Sequence, residues 1–248
     1  MKVSIITATY NSAETIADTL RSLNQQSYHN IEYIIIDGAS KDNTLAVIKQ
    51  LCPNVTKMIS EPDKGIYDAL NKGINAATGD IVGFLHSDDL FAYPDAIKDI
   101  VATFNYFDCD ATYADLEYVS KDNTDNIIRL WKSGVYSQGK LKNGWMPPHP
   151  TFYMKRDLYQ KFGLFDLNFK ISADYDSLLR YLWSKKVKMS YLPRVVMKMR
   201  VGGASNRSLK NIIQKTKEDI RALKKNNIFW PCALFIKNFS KIPQFIFK

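Results

Sequence analysis

Apolar residues change their spacing several times along the first hundred positions, and each change marks an element. Residues 3–7, VSIIT, form a short apolar-rich run of the kind a strand buried on both faces shows. Ile16, Leu20 and Leu23 then recur at helical spacing, with Asn11 or Ser12 as a cap and Glu14 in the first turn. IEYIIID (31–37) reads as a second strand, and SKDNTLAVIKQL (40–51) as a turn into a second helix. Ile66, Ala69, Leu70, Gly73, Ile74 and Ala77 fall at i, i+3, i+4, i+7, i+8 and i+11, which predicts a helix that Gly79 stops. DIVGFL (80–85) is the next strand. YPDAIKDIVATFNYF (93–107) follows as a helix, with Pro94 in its first turn and Ile97, Ile100, Val101 and Phe104 on one stripe.

Strands alternating with helices imply an α/β chain with a mostly parallel central sheet covered by helices. Ligands of such sheets sit at the carboxyl ends of the strands. Three polar clusters fall there: Thr7–Asn11, Asp37–Asp42 and His86–Asp89. The second half is less regular. DATYADLEYV (110–119) alternates like a strand, and NGWMPPHPTFYM (143–154) is a Pro-rich loop feeding a short one. DYDSLLRYLWSKK (174–186) reads as a helix with Leu178, Leu179 and Leu182 inward. VVMKM (195–199) reads as a strand, and a Lys-rich helix runs from about Ser208 to Asn226.

Composition narrows the classes. At 46% hydrophobic and 24% charged residues over 248 positions, the chain is globular rather than disordered. Three scattered cysteines (Cys52, Cys109, Cys232) lack metal spacing and suggest a reduced, intracellular protein. The start carries no secretory pattern, and no window reaches the ~18 apolar residues of a membrane-spanning helix. The expected location is therefore cytoplasmic, or peripheral on the inner face of the plasma membrane. The net charge of +9 is uneven: residues 207–248 hold ten Lys and Arg against Glu218 and Asp219, whereas residues 1–206 are near neutral. A nucleic-acid partner does not fit that neutral body, and no nucleic-acid motif is present.

The stretch IVGFLHSDDL (81–90) ends an apolar strand in two adjacent carboxylates, Asp88 and Asp89. Side by side they repel, and near a core they are costly to desolvate. A Gly-rich dinucleotide loop, a P-loop and a zinc motif are all absent. Acidic strand ends without a phosphate cradle suit a divalent cation that in turn holds a diphosphate. A pair capping the following helix is the alternative.

SIITATYNSAETIADTLRSLNQQSY, EYIIIDGASKDNT, SEPDKGIYDALNKGINAATGD and FLHSDDL occur in that order within residues 1–95. Together they resemble the N-terminal half of family 2 inverting glycosyltransferases, and HPTFYMKRDLYQKFGLFDLNFKISADYDSLLRYL resembles their acceptor half more weakly. The resemblance implies a GT-A fold, Rossmann-like, and inverting transfer of a sugar from a nucleotide donor, UDP-linked above all. It implies that Thr7, Thr9 and Asn11 lie along the nucleotide, that Asp37 meets the base and that Asp88 faces the ribose. Asp89 would ligate Mn²⁺ or Mg²⁺. Asp63 would border the base pocket, or be a solvated turn residue. Asp174 matches the position of the catalytic base at a helix start, which would keep it ionised. Ala173 stands before it where the family has Glu, and Asp176 is the rival. RVGGAS (200–205) would close over the diphosphate through Gly202 and Gly203, with Arg200 or Arg207 adding charge, or be a plain glycine turn. His149 would touch the acceptor or the diphosphate, or pack in its loop. The Gln-x-x-Arg-Trp element of processive members is absent, so one sugar is added per encounter.

These readings divide the chain into a GT-A domain (1–206, with a nucleotide-sugar half 1–95 and an acceptor half 96–206) and a basic, aromatic-rich helical extension (207–248). The acceptor would be a glycan or lipid-linked glycan of surface polysaccharide. Residues 228–248 interleave aromatics with Lys, broken by Pro231 and Pro243, which suits an anionic membrane surface. Docking of this tail on the catalytic core is the other reading. Two rival functions are a non-catalytic nucleotide-sugar binder, which would not need Asp174, and a sugar-phosphate nucleotidyltransferase, whose Gly-rich basic loop TATYNSAE does not supply.

Overall fold

The computed structural model describes residues 1–52, 55–202 and 209–239. The N-terminal half alternates β1 (Val3–Thr9), α1 (Ile16–Asn24), β2 (Ile31–Asp37), α2 (Thr44–Leu51), β3 (Lys57–Ser60), α3 (Ile66–Ala76), β4 (Ile81–Phe84), β5 (Asp89–Phe91) and α4 (Ala96–Phe107). The second half holds β6 (Ala111–Val119), β7 (Ile127–Trp131), α5 (Gln138–Lys142), β8 (Tyr153–Lys155), α6 (Arg156–Phe162), α7 (Ala173–Leu179) and β9 (Met189–Arg200). Two helices, α8 (Leu209–Lys225) and α9 (Trp230–Phe239), follow.

The strands of the described residues form one sheet in the order β3-β2-β1-β4-β8-β6-β9-β5, with β7 paired to β6. β3, β2, β1 and β4 are parallel; apolar runs predict β1, β2 and β4, whereas the short, mostly exposed β3 carries no such run. The expectation of a mostly parallel sheet fails beyond β4. β8 runs antiparallel to both β4 and β6, β5 antiparallel to β9 and β7 antiparallel to β6, while β6 and β9 are parallel. The sheet is mixed because three-residue strands close it: β8 bridges the two halves, and β5 doubles back onto β9.

Alternation along each central strand feeds two cores. Ile6 and Ile34 join Phe84, Met154, Leu70 and Leu178 on one face. Ile5 and Ile35 join Ile16, Leu20, Ile97 and Ile100 on the other. Two local expectations need correcting. α1 starts at Ile16 with Thr15 in the cap position, so Asn11, Ser12 and Glu14 lie in the preceding turn. α3 ends at Ala76, before Gly79; a side chain at Gly79 would meet Ser4 Oγ at 2.6 Å, so that glycine serves close contact with β1.

The C-terminal helices are built into the first core through Ala222, Leu223, Ile228 and Ala233. Pro231 lies in the first turn of α9 and does not break it. The segment 228–239 thus docks on the body, as the second reading of the tail had it, and leaves Phe229, Phe235 and Ile236 exposed. Pro243 and the rest of the tail lie outside the described residues. Among the described residues no helix is long and apolar enough to cross a membrane.

Gly83 sits in the middle of β4, where an added Cβ would come within 2.0 Å of the buried Tyr153 ring on β8. Gly83→Ala is expected to cost about 1–3 kcal/mol in denaturant unfolding, as overpacked cores do. An unchanged midpoint would contradict this packing at the seam between the two half-sheets.

Candidate active site

The parallel register sets Thr9 beside Asp37 at the carboxyl ends of β1 and β2. Asp37 is fully buried and accepts hydrogen bonds from the Ser40 N–H at 3.0 Å and the Ser60 hydroxyl at 2.6 Å. Thr9 Oγ1 is buried beside it with no partner. Asn11 takes a left-handed backbone (φ 48°), which Asn tolerates. Its side chain accepts from the Lys41 N–H and its own N–H donates to Ser40, so it braces the loop after β2. Asp63 stands over Gly38, where a Cβ would meet Asp63 Oδ2 at 2.6 Å, and the exposed Tyr10 ring borders the same spot. The third cluster joins them through Ser12 and Ser87, whose hydroxyls are 2.9 Å apart. All three predicted polar clusters therefore meet at one edge.

The acidic turn lies between β4 and β5. Asp89 is 1% exposed, and neither carboxylate oxygen has a hydrogen-bond partner. Burial drives its pKa well above the ordinary 3.8 and Asp88 adds to the rise, while Arg200 offsets part of it through its charge and its backbone N–H. Pairing of β5 with β9 brings Arg200 to this turn. Its guanidinium donates to the Asp88 carbonyl at 3.1 Å, the Lys121 carbonyl at 3.2 Å and the Asp18 carboxylate at 2.5 Å. His86 Nδ1 is a further buried atom without a partner; burial lowers this imidazole's pKa, against the pull of Asp88 and Asp174. Among the described residues no group of three or more His, Cys, Asp or Glu is placed to hold a metal. An orphaned carboxylate beside a second one still fits a hard cation whose other ligands come from a diphosphate and water.

Across from this turn, Asp174 lies in the first turn of α7. Its carboxylate accepts from the Tyr175 N–H at 2.8 Å, and the Tyr67 hydroxyl lies 3.1 Å away. Burial raises its pKa, outweighing the Tyr175 N–H, Lys237 and Tyr67, which lower it. The expectation that the helix start keeps Asp174 readily ionised is thus reversed by desolvation. Asp174 opens onto a cavity of about 190 Å³ that also borders His149, Tyr118, Trp131 and Lys237. His149 stacks on Phe84, with centroids 5.1 Å apart, and burial followed by His86 holds its pKa down at about 3. It is a neutral packed ring with an edge on the cavity.

Other expected residues are placed elsewhere. Thr7 does not reach the edge: its hydroxyl donates to the Leu85 carbonyl at 2.6 Å and accepts from Tyr33 inside the core. Arg200 has its nitrogens committed to the turn and Asp18, so it holds the carboxylates in place and is not a free diphosphate contact. Asp176, the rival base, is fully buried between Lys225 and Arg180, where it ties α7 to α8. Gly202 has φ +105°, a conformation that favours glycine. Gly203 and Arg207 lie outside the described residues. Sequence reasoning missed Tyr10, Tyr67, His86 and Lys237. His86 and Tyr10 sit inside the quoted polar clusters and were findable; Lys237 looked like one more tail lysine.

The glycosyl transferase family 2 model matches residues 4–166. The chain is 34% identical over 180 residues to an uncharacterized glycosyltransferase of Mycobacterium tuberculosis, covering 72% of this chain and 68% of that one. It is 27% identical over 208 residues to a PGL/p-HBAD biosynthesis glycosyltransferase of Mycobacterium bovis, covering 82% and 78%. Among solved structures it resembles S. aureus TarS 1-349 in complex with UDP-GlcNAc, with a TM-score of 0.68, 18% identity and coverage of 99% and 79%. It spans only 44% of a longer TarS chain. The mannosyltransferase PcManGT from Pyrobaculum calidifontis, in complex with GDP-Man and Mn2+, matches with a TM-score of 0.66, 20% identity and coverage of 100% and 76%. These likenesses identify the fold as GT-A-like.

In the metal-free protein, the raised pKa of Asp89 means that the folded state binds its proton more tightly than the unfolded state. Its cost to stability is therefore greatest at high pH and shrinks as pH falls through the folded pKa toward the unfolded value. Asp89→Asn is expected to be more stable than wild type by about 1–3 kcal/mol at pH 8, the scale of an unsatisfied buried group. That margin should narrow on acidification in thermal melts. A variant less stable than wild type at every pH would show that Asp89 has a partner.

Proposed function

The chain belongs to glycosyl transferase family 2, and from that premise we propose an inverting, metal-dependent transfer of one sugar from a UDP-linked donor. The broad reaction, from a nucleoside-diphosphate sugar to a glycan or lipid-linked acceptor in polysaccharide synthesis, accompanies the family. The observation that carries the finer reading is the partnerless Asp89 carboxylate facing the same edge as Thr9, His86 and Asp88. Asp89, with Asp88 beside it, would hold Mn²⁺ or Mg²⁺. The bound ion would neutralise the charge of the departing nucleoside diphosphate. Asp37 and Asp63 flank the base, and the Tyr10 ring offers it a face.

Asp174 removes the proton of the acceptor hydroxyl as its oxygen attacks C1, and Tyr67 fixes the orientation of that carboxylate. A raised pKa suits a base that must hold a proton and then release it. We assign the catalytic unit to residues 1–206 and the extension to 207–248, whose helices α8 and α9 complete the cavity wall. PcManGT carries GDP-Man; a guanosine donor is the second reading of the nucleotide pocket.

Asp174→Asn should lower kcat by about 10²–10⁴-fold with UDP affinity unchanged within about twofold. A binder without catalysis would show no transfer in the wild type either. The base must be ionised, so kcat/KM should fall as pH drops through a value above the ordinary 3.8 of a carboxyl. An acid limb at or below that value would remove Asp174 from the role.

The exposed Phe229, Phe235 and Ile236, on an extension rich in Lys and Arg, support peripheral contact with an anionic membrane. Co-sedimentation with phosphatidylglycerol vesicles should fall at high salt and in Phe229→Ser/Phe235→Ser. Equal binding by that variant would discard the membrane reading of α9.

A further inference from the structure

The cavity in front of Asp174 has a second polar wall that the transfer step does not use. Ser172 and Tyr175 at the start of α7, Lys215 and Asp219 from α8 and Lys237 from α9 line it. Ser172 Oγ, the Tyr175 hydroxyl and Asp219 Oδ1 are all buried and have no hydrogen-bond partner. Unpaired buried polar atoms are costly and rare in native structures. Three of them around one cavity point to a ligand that satisfies them together.

The charges say what kind. Lys237 Nζ lies 2.8 Å from Asp219 Oδ2 and 3.3 Å from the centre of the Tyr175 ring, and Lys215 is 3.9 Å from the same Oδ2. One oxygen of Asp219 is thereby taken and the other left open as an acceptor. Among the lining residues two lysines face two carboxylates, Asp174 and Asp219, so the lining itself is balanced in charge, and the Arg129 guanidinium lies 4.1 Å from the centre of the Tyr118 ring. The other wall is aromatic: Tyr118 and Trp131 stack with their planes within 6° and their centroids 6.3 Å apart, beside the Arg129 guanidinium. The volume of about 190 Å³ is roughly six waters at ~30 Å³ each, the scale of one sugar ring.

We propose that Ser172, Tyr175 and Asp219, with Lys237 behind them, bind the terminal acceptor sugar as a neutral pyranose. Its hydroxyls meet the three unpaired atoms, and its C–H groups pack against the Tyr118 and Trp131 pair. The inference rests on the glycosyl-transfer reading of the site. Acceptor choice then depends on α8 and α9, which lie beyond the family match at residues 4–166. Glu218 of α8 fixes the same wall by accepting the N–H groups of Lys170, Ile171 and Ser172 at 2.8–3.0 Å.

The test is saturation-transfer NMR on the full chain with UDP and Mn²⁺, using methyl gluco-, galacto-, manno- and rhamnopyranosides as probes. At least one pyranoside should show transfer, and the signal should fall about fivefold or more in Tyr175→Phe and in Ser172→Ala. Each substitution removes an atom without a partner, so both variants should melt at or above the wild-type temperature, and UDP affinity should stay within about twofold. UDP binding without any pyranoside signal would overturn the subsite, as would equal signals in both variants or displacement of the sugar by inorganic phosphate. Failure of the wild type to bind any nucleoside diphosphate would bring down the glycosyl-transfer reading, and this inference with it.

Discussion

A carboxylate buried without a side-chain partner is the constraint on which this site turns. Asp89 opens β5, and β5 is tied to β9 in antiparallel register. That pairing delivers Arg200, which clamps the Asp88 carbonyl and binds Asp18. The clamp supplies enough positive charge to tolerate the acidic turn, yet it leaves both Asp89 oxygens unpaired. A hard cation is the partner that such oxygens take most readily. The parallel strands bring Thr9, Asp37 and His86 to the same edge, beside the point where the sheet changes direction.

The acceptor side depends on a different device. Asp174 sits on a short helix whose own cap residue makes no side-chain cap. The N–H groups ahead of it are held by Glu218, and Asp176, two residues later, is held by Lys225 and Asn226. The C-terminal helices therefore hold the first turn of α7 on both sides of Asp174. Lys237 continues this role from α9, its ammonium buried against Asp219 and Tyr175. A buried pair like this adds little net stability, and it stands at the wall of the cavity that Asp174 borders.

Much of this was legible in the spacing of residues. The unbroken runs of β1, β2 and β4 and the helical stripe of α4 appear where their periodicity puts them. The polar strand ends mark the site edge because charged groups cannot continue into the core. What was hidden has one cause: contacts between distant positions leave no local period. β8 is three residues long and joins strands from both halves. Arg200 looked like a diphosphate contact until its bond to Asp88, across 112 positions, was visible. Thr7 and Thr9 share one face of β1, yet only Thr9 lies beyond the reach of Tyr33 and Leu85. Lys237 stands in a stretch whose composition suits a membrane surface, and burial beside Asp219 gives it a structural meaning that composition cannot carry.

The most direct measurement is calorimetric titration of the full chain with UDP, in the presence and absence of Mn²⁺, with GDP as the comparison. If Asp89 completes its coordination through a cation shared with the donor diphosphate, UDP binds with Mn²⁺ and binds far more weakly without it. Equal binding in both conditions would contradict a metal at Asp89, and binding of neither nucleotide would contradict the donor site itself.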